Sequence, residues 1–219
     1  MRQNSAFWEF FNLEAAPKLG IREQTFRKIF EMLDEKSGPL TMVETGCARA
    51  PDNWAGDGQS TVMFDRYINL RDGDSSFHSV DLSPAAVSYA ENSVSKRSRI
   101  HLGDSVEFLQ GFGTKLRQEN RIIDFLYLDS FDLEWNYWFP SAAHHLKELC
   151  AVMRVINKNF LVVVDDCPLA ANLVPNSTNS FSFIQKPKVG GKGRLVAEYA
   201  ESVGAKLEFA GYQAGWTGF

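Results

Sequence analysis

The chain has 219 residues, of which 44% are hydrophobic and 23% charged, so it can bury one substantial core. A formal net charge of -4 and the lack of a long run of Lys or Arg disfavour nucleic acid as a partner. No stretch approaches the ~20 apolar residues of a membrane span, and the N-terminus lacks a secretory signal pattern, so we expect no membrane association and a cytoplasmic location.

The N-terminal part of the chain is predicted to be helical. Apolar residues recur at helical spacing over residues 22–36, and Ser37-Gly38-Pro39 ends the pattern. The apolar face of this helix is formed by Phe26, Ile29, Phe30 and Leu33. We expect residues 1–39 to pack as a helical segment on the core of one domain, residues 40–219.

Beyond residue 40, short apolar runs alternate with helical segments. The runs of strand length are residues 40–43, 77–80, 99–102, 122–128 and 160–164. The helical segments are residues 59–70, 84–97, 104–117, 140–154 and 192–203. This alternation predicts a Rossmann-like, doubly wound α/β fold with a mainly parallel sheet and helices on both faces. The last strand is predicted over residues 206–212, and any antiparallel strand after it must be very short.

A long polar stretch at residues 168–193 separates the fifth strand from the last helix. It ends in Gly190-Gly191-Lys192-Gly193. A loop of this length in a compact domain is a lid, a binding loop or a disordered segment, and its sequence leaves these alternatives open.

Acidic residues stand at or just beyond the ends of the first five strands. In open parallel sheets the ligand lies outside the carboxyl ends of the strands, near the point where strand order reverses. These acidic residues are therefore candidates for a ligand site. They are Glu44, Asp81, Asp104, Asp129 and the pair Asp165-Asp166.

Two strand ends indicate a nucleoside ligand. Asp81 is placed to accept hydrogen bonds from a ribose diol; helix capping is the alternative, but Ser83 already supplies a cap. Asp104-Ser105 could cap a helix or bind an adenine amino group, and both interpretations stay open. After the first strand, Gly46 allows close approach of a ligand, and the helix N–H groups at Ser60 and Thr61 can meet an anion. A compact G-x-G-x-x-G is absent, which argues against NAD.

The ordered set of motifs resembles class I S-adenosyl-methionine-dependent methyltransferases over residues 40 to about 212. The motifs are Glu44-Thr45-Gly46, Val80-Asp81-Leu82-Ser83, Gly103-Asp104-Ser105, Leu126-Tyr127-Leu128-Asp129 and Val164-Asp165-Asp166. The resemblance implies S-adenosyl-methionine as cofactor, with Glu44 and Gly46 near the methionine moiety, Asp81 on the ribose and Asp104-Ser105 beside the adenine. The insert at residues 48–57 departs from the family pattern. The predicted cofactor-binding residues are Glu44, Gly46, Ser60, Thr61, Asp81, Leu82, Asp104, Ser105 and Asp129.

Asp129, Asp165 and Asp166 are predicted to converge at the ends of two neighbouring strands. Three unpaired carboxylates would repel one another, and an all-oxygen cluster suits Mg²⁺. The arrangement is similar to the metal-dependent O-methyltransferases of the catechol and macrocin types, which implies an ion that holds two vicinal hydroxyls of the acceptor. In the alternative, Asp129 only touches the cofactor and Asp165-Asp166 cap a turn.

Asp132 and His145 are the candidate catalytic bases. Asp132 stands where catechol-type enzymes carry a lysine, and histidine has a suitable intrinsic pKa, although at least one of His144 and His145 is expected to be structural. The sequence thus predicts metal-assisted methyl transfer to a hydroxyl of a small-molecule or sugar acceptor. The alternatives are metal-independent N- or O-methyl transfer, a nucleotide-sugar or dinucleotide enzyme, and an inactive binding domain. Whether the chain forms a homodimer stays open.

Overall fold

The computed structural model describes residues 4–71, 73–134, 136–170, 173–175, 180–183 and 188–219. At its centre lies a seven-stranded sheet. Its strands are β1 (Thr41–Thr45), β2 (Ser76–Asp81), β3 (Ser98–Leu102), β4 (Phe125–Leu128), β5 (Leu161–Val164), β6 (Lys206–Ala210) and β7 (Ala214–Thr217). The spatial order is β6-β7-β5-β4-β1-β2-β3. The first five strands are parallel, and β7 runs antiparallel to both of its neighbours.

Helices cover both faces of the sheet, which confirms the predicted doubly wound fold. They are α1 (Ser5–Phe10), α2 (Glu23–Asp34), α3 (Ser60–Asn69), α4 (Pro84–Ser93), α5 (Ser105–Gln118), α6 (Phe139–Val152) and α7 (Arg194–Val203). Side chains of β4 alternate between two cores. Phe125 and Tyr127 pack with α1, α2 and α3, whereas Leu126 and Leu128 pack with α5, α6 and α7. None of the described helices has the length and apolar character of a membrane span.

The N-terminal segment closes one face of the sheet. A π-helical turn (Phe11–Ala15) and two 3₁₀ turns connect α1 to α2. The ring of Phe7 lies 4.4 Å from that of Phe30 and 5.0 Å from that of Tyr67 on α3. Asp34 accepts hydrogen bonds from Trp8 Nε1 at 2.6 Å and from the Tyr67 hydroxyl at 2.8 Å. The segment therefore shares its core with the sheet.

Two element boundaries differ from the sequence prediction by three residues or more. Helix α4 ends at Ser93 rather than at residue 97, because Asp65 accepts hydrogen bonds from the backbone N–H of Ser95 at 3.0 Å and from the Ser98 hydroxyl at 2.5 Å, which directs the chain into β3. The strand predicted over residues 122–128 begins at Phe125. Its neighbour Asp124 instead accepts a hydrogen bond from the Thr41 N–H at 2.8 Å.

The stretch at residues 168–193 contains short antiparallel ladders where the structure describes it. Leu169–Ala170 pairs with Lys188–Val189, and Leu173–Pro175 pairs with Phe181–Phe183. The rest of the predicted loop, residues 171–172, 176–179 and 184–187, lies outside the described residues. A role for this stretch as a lid stays a prediction.

Candidate active site

Gly46 lies where the ends of three strands meet. Strand β1 is flanked by β2 and β4, so the strand order reverses at this point of the sheet. The Gly46 N–H donates to the Val80 carbonyl at 2.8 Å, and its φ is +82°. A Cβ at Gly46 would lie 2.5 Å from the Asp129 carbonyl oxygen. Only glycine fits here, and this close approach brings the acidic ends of β2 and β4 to one place.

The side chain of Glu44 supports the turn that follows β1. Its fully buried carboxylate accepts hydrogen bonds from the hydroxyls of Ser60 at 2.5 Å, Thr61 at 2.7 Å and Ser79 at 2.6 Å. Burial raises the pKa of Glu44 to about 7, against the effect of these hydroxyl donors. The Thr61 hydroxyl also accepts the Ala48 N–H at 2.8 Å. Glu44 therefore anchors α3 to the loop after Gly46.

Asp81 is fixed by backbone donors at the end of β2. Its Oδ2 accepts the Cys47 N–H at 3.1 Å, and its Oδ1 accepts the Ser83 N–H at 2.7 Å. The Ser83 hydroxyl accepts the Ala86 N–H at 3.3 Å and so caps α4, as the sequence indicated. The carboxylate of Asp81 is thereby held at the strand end, with lone pairs left for a ligand.

A cavity of about 420 Å³ opens at these strand ends, within the size range of small-molecule sites. The predicted site residues that line it are Gly46, Ser60, Asp81, Leu82, Asp129 and Asp132. Cys47, Ala48, Arg49, Asp57, Ser83 and Ser130 complete the lining. The predicted residues that do not line it are Glu44, Thr61, Asp104, Ser105, His145, Asp165 and Asp166.

Asp104 caps a helix, and the adjacent Ser105 belongs to a polar group with His144 and Glu148 that was not predicted from the sequence. Asp104 caps α5 by accepting the Glu107 N–H at 2.9 Å. The Ser105 hydroxyl lies 3.0 Å from His144 Nε2, which lies 3.3 Å from the buried carboxylate of Glu148. The hydrogen bond to Glu148 raises the pKa of His144 despite partial burial. An adenine contact of Asp104 or Ser105 stays a prediction.

The two candidate bases occupy very different places. His145 is fully buried on α6, its Nδ1 lies 2.7 Å from the Ser141 carbonyl, and burial lowers its pKa to about 4. This enclosure places His145 away from the cavity and favours the structural role expected of one histidine. Asp132 lies at the cavity rim with its side chain 82% exposed, 3.5 Å from Arg49 Nη1. Of the two, only Asp132 can reach a ligand there.

Asp129, Asp165 and Asp166 come together as predicted, but two side-chain cations lie among them. The ammonium of Lys192 contacts Asp129 and lies 3.0 Å from Asp166 Oδ2. Arg22 Nε lies 3.3 Å from Asp165 Oδ2, and its Nη2 lies 3.8 Å from Asp166 Oδ1. Burial would lower the pKa of Lys192, but these carboxylates raise it above its ordinary value. The premise that the three aspartates lack cationic partners is therefore wrong.

This arrangement does not fit a divalent metal ion. Lys192 takes the position between the carboxylates of Asp129 and Asp166 that a shared ion would need. Asp165 is directed to Arg22, and its Oδ1 accepts the Asp166 N–H at 2.8 Å. Within the described part of the chain, no group of three His, Cys, Asp or Glu side chains has the geometry of a metal site. Lys192 and Arg22 were not predicted from the sequence as partners of these carboxylates, and the glycines around Lys192 were the available signal.

No protein-family model matches the chain, and no curated protein matches it. Among solved structures, MycE methyltransferase from the mycinamycin biosynthetic pathway, in complex with Mg, SAH and mycinamycin VI, matches with a TM-score of 0.47 and 16% identity over 75% of this chain. The chain spans only 39% of that protein. The DhpI–SAH complex matches with a TM-score of 0.48 and 12% identity, over 99% of this chain and 95% of the other.

Human methyltransferase-like protein 13 in complex with SAH matches over the whole of this chain and 82% of its own, with a TM-score of 0.50 and 14% identity. A likeness at this identity concerns the fold. The chain has the Rossmann-like fold of this SAH-bound protein.

Proposed function

We propose that the protein transfers a methyl group from S-adenosyl-methionine to a hydroxyl of a small-molecule or sugar acceptor. The observation that carries the proposal is the placement of Asp81 at the strand-order reversal, where two backbone N–H groups orient its carboxylate toward a cavity of about 420 Å³. Such a carboxylate can accept both hydroxyls of a ribose. Gly46 lets the ligand approach the backbone beside it.

The charge of the cavity supports a cationic cofactor. Four carboxylates line it, those of Asp57, Asp81, Asp129 and Asp132, and the cations of Arg49 and Lys192 that contact three of them leave the lining with a net negative charge. A negative lining favours the sulfonium and ammonium groups of S-adenosyl-methionine and repels the pyrophosphate of a dinucleotide or nucleotide sugar. This argues against the dinucleotide and nucleotide-sugar alternatives.

In the proposed reaction the cofactor supplies an electrophilic methyl group on sulfur. Asp81 would hold the ribose, and the carboxylate of Asp129 would accept hydrogen bonds from the ammonium of the methionine moiety. The methyl group would pass from sulfur to the acceptor oxygen, and a carboxylate at the rim would take the hydroxyl proton. Asp132 is available for this step because it is exposed at the rim. The main contribution of the chain is positioning.

A metal-independent reaction is the better-supported form of this proposal. The sequence predicted assistance by Mg²⁺, but Lys192 and Arg22 already compensate the three aspartates. Methyl transfer by the purified protein should persist in excess EDTA. If activity is lost in EDTA and returns when Mg²⁺ is added, this form is contradicted and a metal-assisted reaction is supported.

Calorimetry tests the cofactor assignment. We expect S-adenosyl-homocysteine to bind and NAD and UDP-glucose to fail to bind under the same conditions. Asp81→Asn should weaken the binding of S-adenosyl-homocysteine by about 10- to 100-fold, because a charge-assisted pair of hydrogen bonds is lost. Asp52→Asn is the matched control, since Asp52 is exposed and does not line the cavity. Equal binding by Asp81→Asn and the unmodified protein would overturn the assignment of Asp81.

A further inference from the structure

We propose that Lys192 is a built-in substitute for a divalent cation, which joins the ends of β4 and β5 and makes the acidic cluster independent of metal. The cluster consists of Asp129, Asp165, Asp166, Lys192 and Arg22. The role of this cluster in a methyltransferase site rests on the proposed function. The inference that Lys192 replaces a metal does not rest on it.

Burial and contacts place the Lys192 ammonium inside the cluster. The side chain is 1% exposed, contacts Asp129 and lies 3.0 Å from Asp166 Oδ2. An ammonium removed from water to this extent is stable only with close anionic partners. The carboxylates it contacts are those at which the sequence predicted metal coordination. Lys192 thus supplies positive charge where an ion would supply it.

The backbone around Lys192 is shaped to deliver this side chain. Gly191 has a φ of +53°, and an added Cβ there would overlap the Asp166 carbonyl. An added Cβ at Gly193 would overlap Cys167 Sγ. The Lys192 N–H donates to the Asp166 carbonyl at 3.1 Å. The two glycines therefore let the turn pack directly on the segment after β5. This packing fixes the position from which the side chain of Lys192 enters the cluster.

Arg22 completes the compensation from the opposite side. Its guanidinium reaches Asp165 and Asp166, donates to the Ala55 carbonyl at 3.0 Å and lies 4.3 Å from the centre of the Tyr212 ring. Two cations from distant segments thus share three carboxylates. Asp129 contacts Lys192 and also lines the cavity, so the lysine holds this carboxylate at the cavity wall.

Binding of Mn²⁺, followed by electron paramagnetic resonance, tests the inference without any cofactor. The unmodified protein should bind no Mn²⁺ at the cluster. Lys192→Ala removes the ammonium and leaves space between the carboxylates of Asp129 and Asp166, so it should gain one Mn²⁺ site at least about tenfold tighter than any site of the unmodified protein. Adding Asp166→Asn to this variant should abolish the new site. Lys188→Ala is the matched control, because Lys188 is exposed.

Lys192→Met removes the charge of the lysine without creating space for an ion, and so separates these two effects of Lys192→Ala. Its unbranched side chain fills the volume of the lysine stem, so we expect this variant to gain no Mn²⁺ site. In Lys192→Ala, the affinity for S-adenosyl-homocysteine should fall by about tenfold or more, because Lys192 holds the Asp129 carboxylate in position at the cavity wall. The affinity should recover in part with Mn²⁺, because the ion would hold that carboxylate in place of the lysine. A purely structural ion pair would show neither the new site nor the recovery.

Any of three results would overturn the inference. One is tight Mn²⁺ binding by the unmodified protein that Asp166→Asn removes, and this measurement needs no variant of Lys192. Another is a folded Lys192→Ala variant that binds Mn²⁺ no better than Lys188→Ala. If Lys192→Ala fails to fold alone, Mn²⁺ should restore its folding, and failure to do so also counts against the inference. Failure to bind S-adenosyl-homocysteine would instead contradict the proposed function and leave the Mn²⁺ result standing.

Discussion

Glu44 is a residue whose pKa is set mainly by its burial. Its carboxyl group is fully buried among three hydroxyls, and burial raises its pKa from 4.5 to about 7. A group whose pKa is raised in the folded state stabilises that state fully below its unfolded pKa. The contribution is lost as the pH rises through the folded pKa. Between pH 4.5 and 7, Glu44 therefore makes the protein less stable as the pH increases.

We expect Glu44→Gln to flatten this pH dependence, because an amide stays neutral across the range. The difference between pKa values of 4.5 and about 7 corresponds to roughly 3 kcal/mol of unfolding free energy. Urea unfolding of both proteins at intervals between pH 4.5 and 8 measures it. Glu91→Gln, at an exposed position on α4, should keep the slope of the unmodified protein. Parallel profiles for Glu44→Gln and the unmodified protein would refute the assignment.

At the residue scale, the sequence predicted the acids of the site better than their partners. Asp81 and Asp129 follow apolar runs and were therefore predicted at strand ends, where parallel sheets bind their ligands. Both line the cavity. Lys192 and Arg22 reach the same cluster from segments far away in the chain. No periodicity connects these segments, because their contact depends on tertiary packing. The metal prediction followed from counting carboxylates without these cations.

At the scale of elements, apolar runs and helical spacing predicted the strands and helices, whereas local hydrogen bonds set their ends. Pro84 opens α4 as predicted, since a proline at the first helical position loses no hydrogen bond. The end of α4 depends on Asp65, which lies on α3 and binds Ser95. A single-sequence pattern does not contain this pairing.

The turn Gly191–Gly193 is the element on which the acidic cluster depends. We expect Gly191→Ala to destabilise the protein by at least about 2 kcal/mol, because alanine is strained at a φ of +53° and its Cβ would overlap the Asp166 carbonyl. Chemical denaturation measures the effect. Gly111→Ala is the control, and it should change the stability in the opposite direction. Gly111 lies within α5 with open space around it, so alanine should stabilise the helix by about 0.5–1 kcal/mol. Equal effects of the two substitutions would contradict the role of the turn.

At the scale of the whole molecule, the N-terminal segment and the sheet form one packed unit. Phe30 packs with Phe7, Phe64 and Tyr67 in the core on one face of the sheet. Arg22, just before α2, reaches the acidic cluster at the carboxyl ends of the strands. Loss of packing in the segment should therefore lower the stability of the entire structure and disturb the candidate site.

Phe30→Ala should cost about 3–5 kcal/mol of unfolding free energy, because it leaves a cavity in a fully buried aromatic core. Unfolding should stay a single transition, with fluorescence and circular dichroism giving the same midpoint, since the segment and the sheet share that core. Leu13→Ala is the matched control on the same segment: its side chain is 72% exposed, and the change should stay within about 0.5 kcal/mol. A separate early transition in Phe30→Ala, with the main transition unchanged, would instead show that residues 1–39 unfold independently of the sheet.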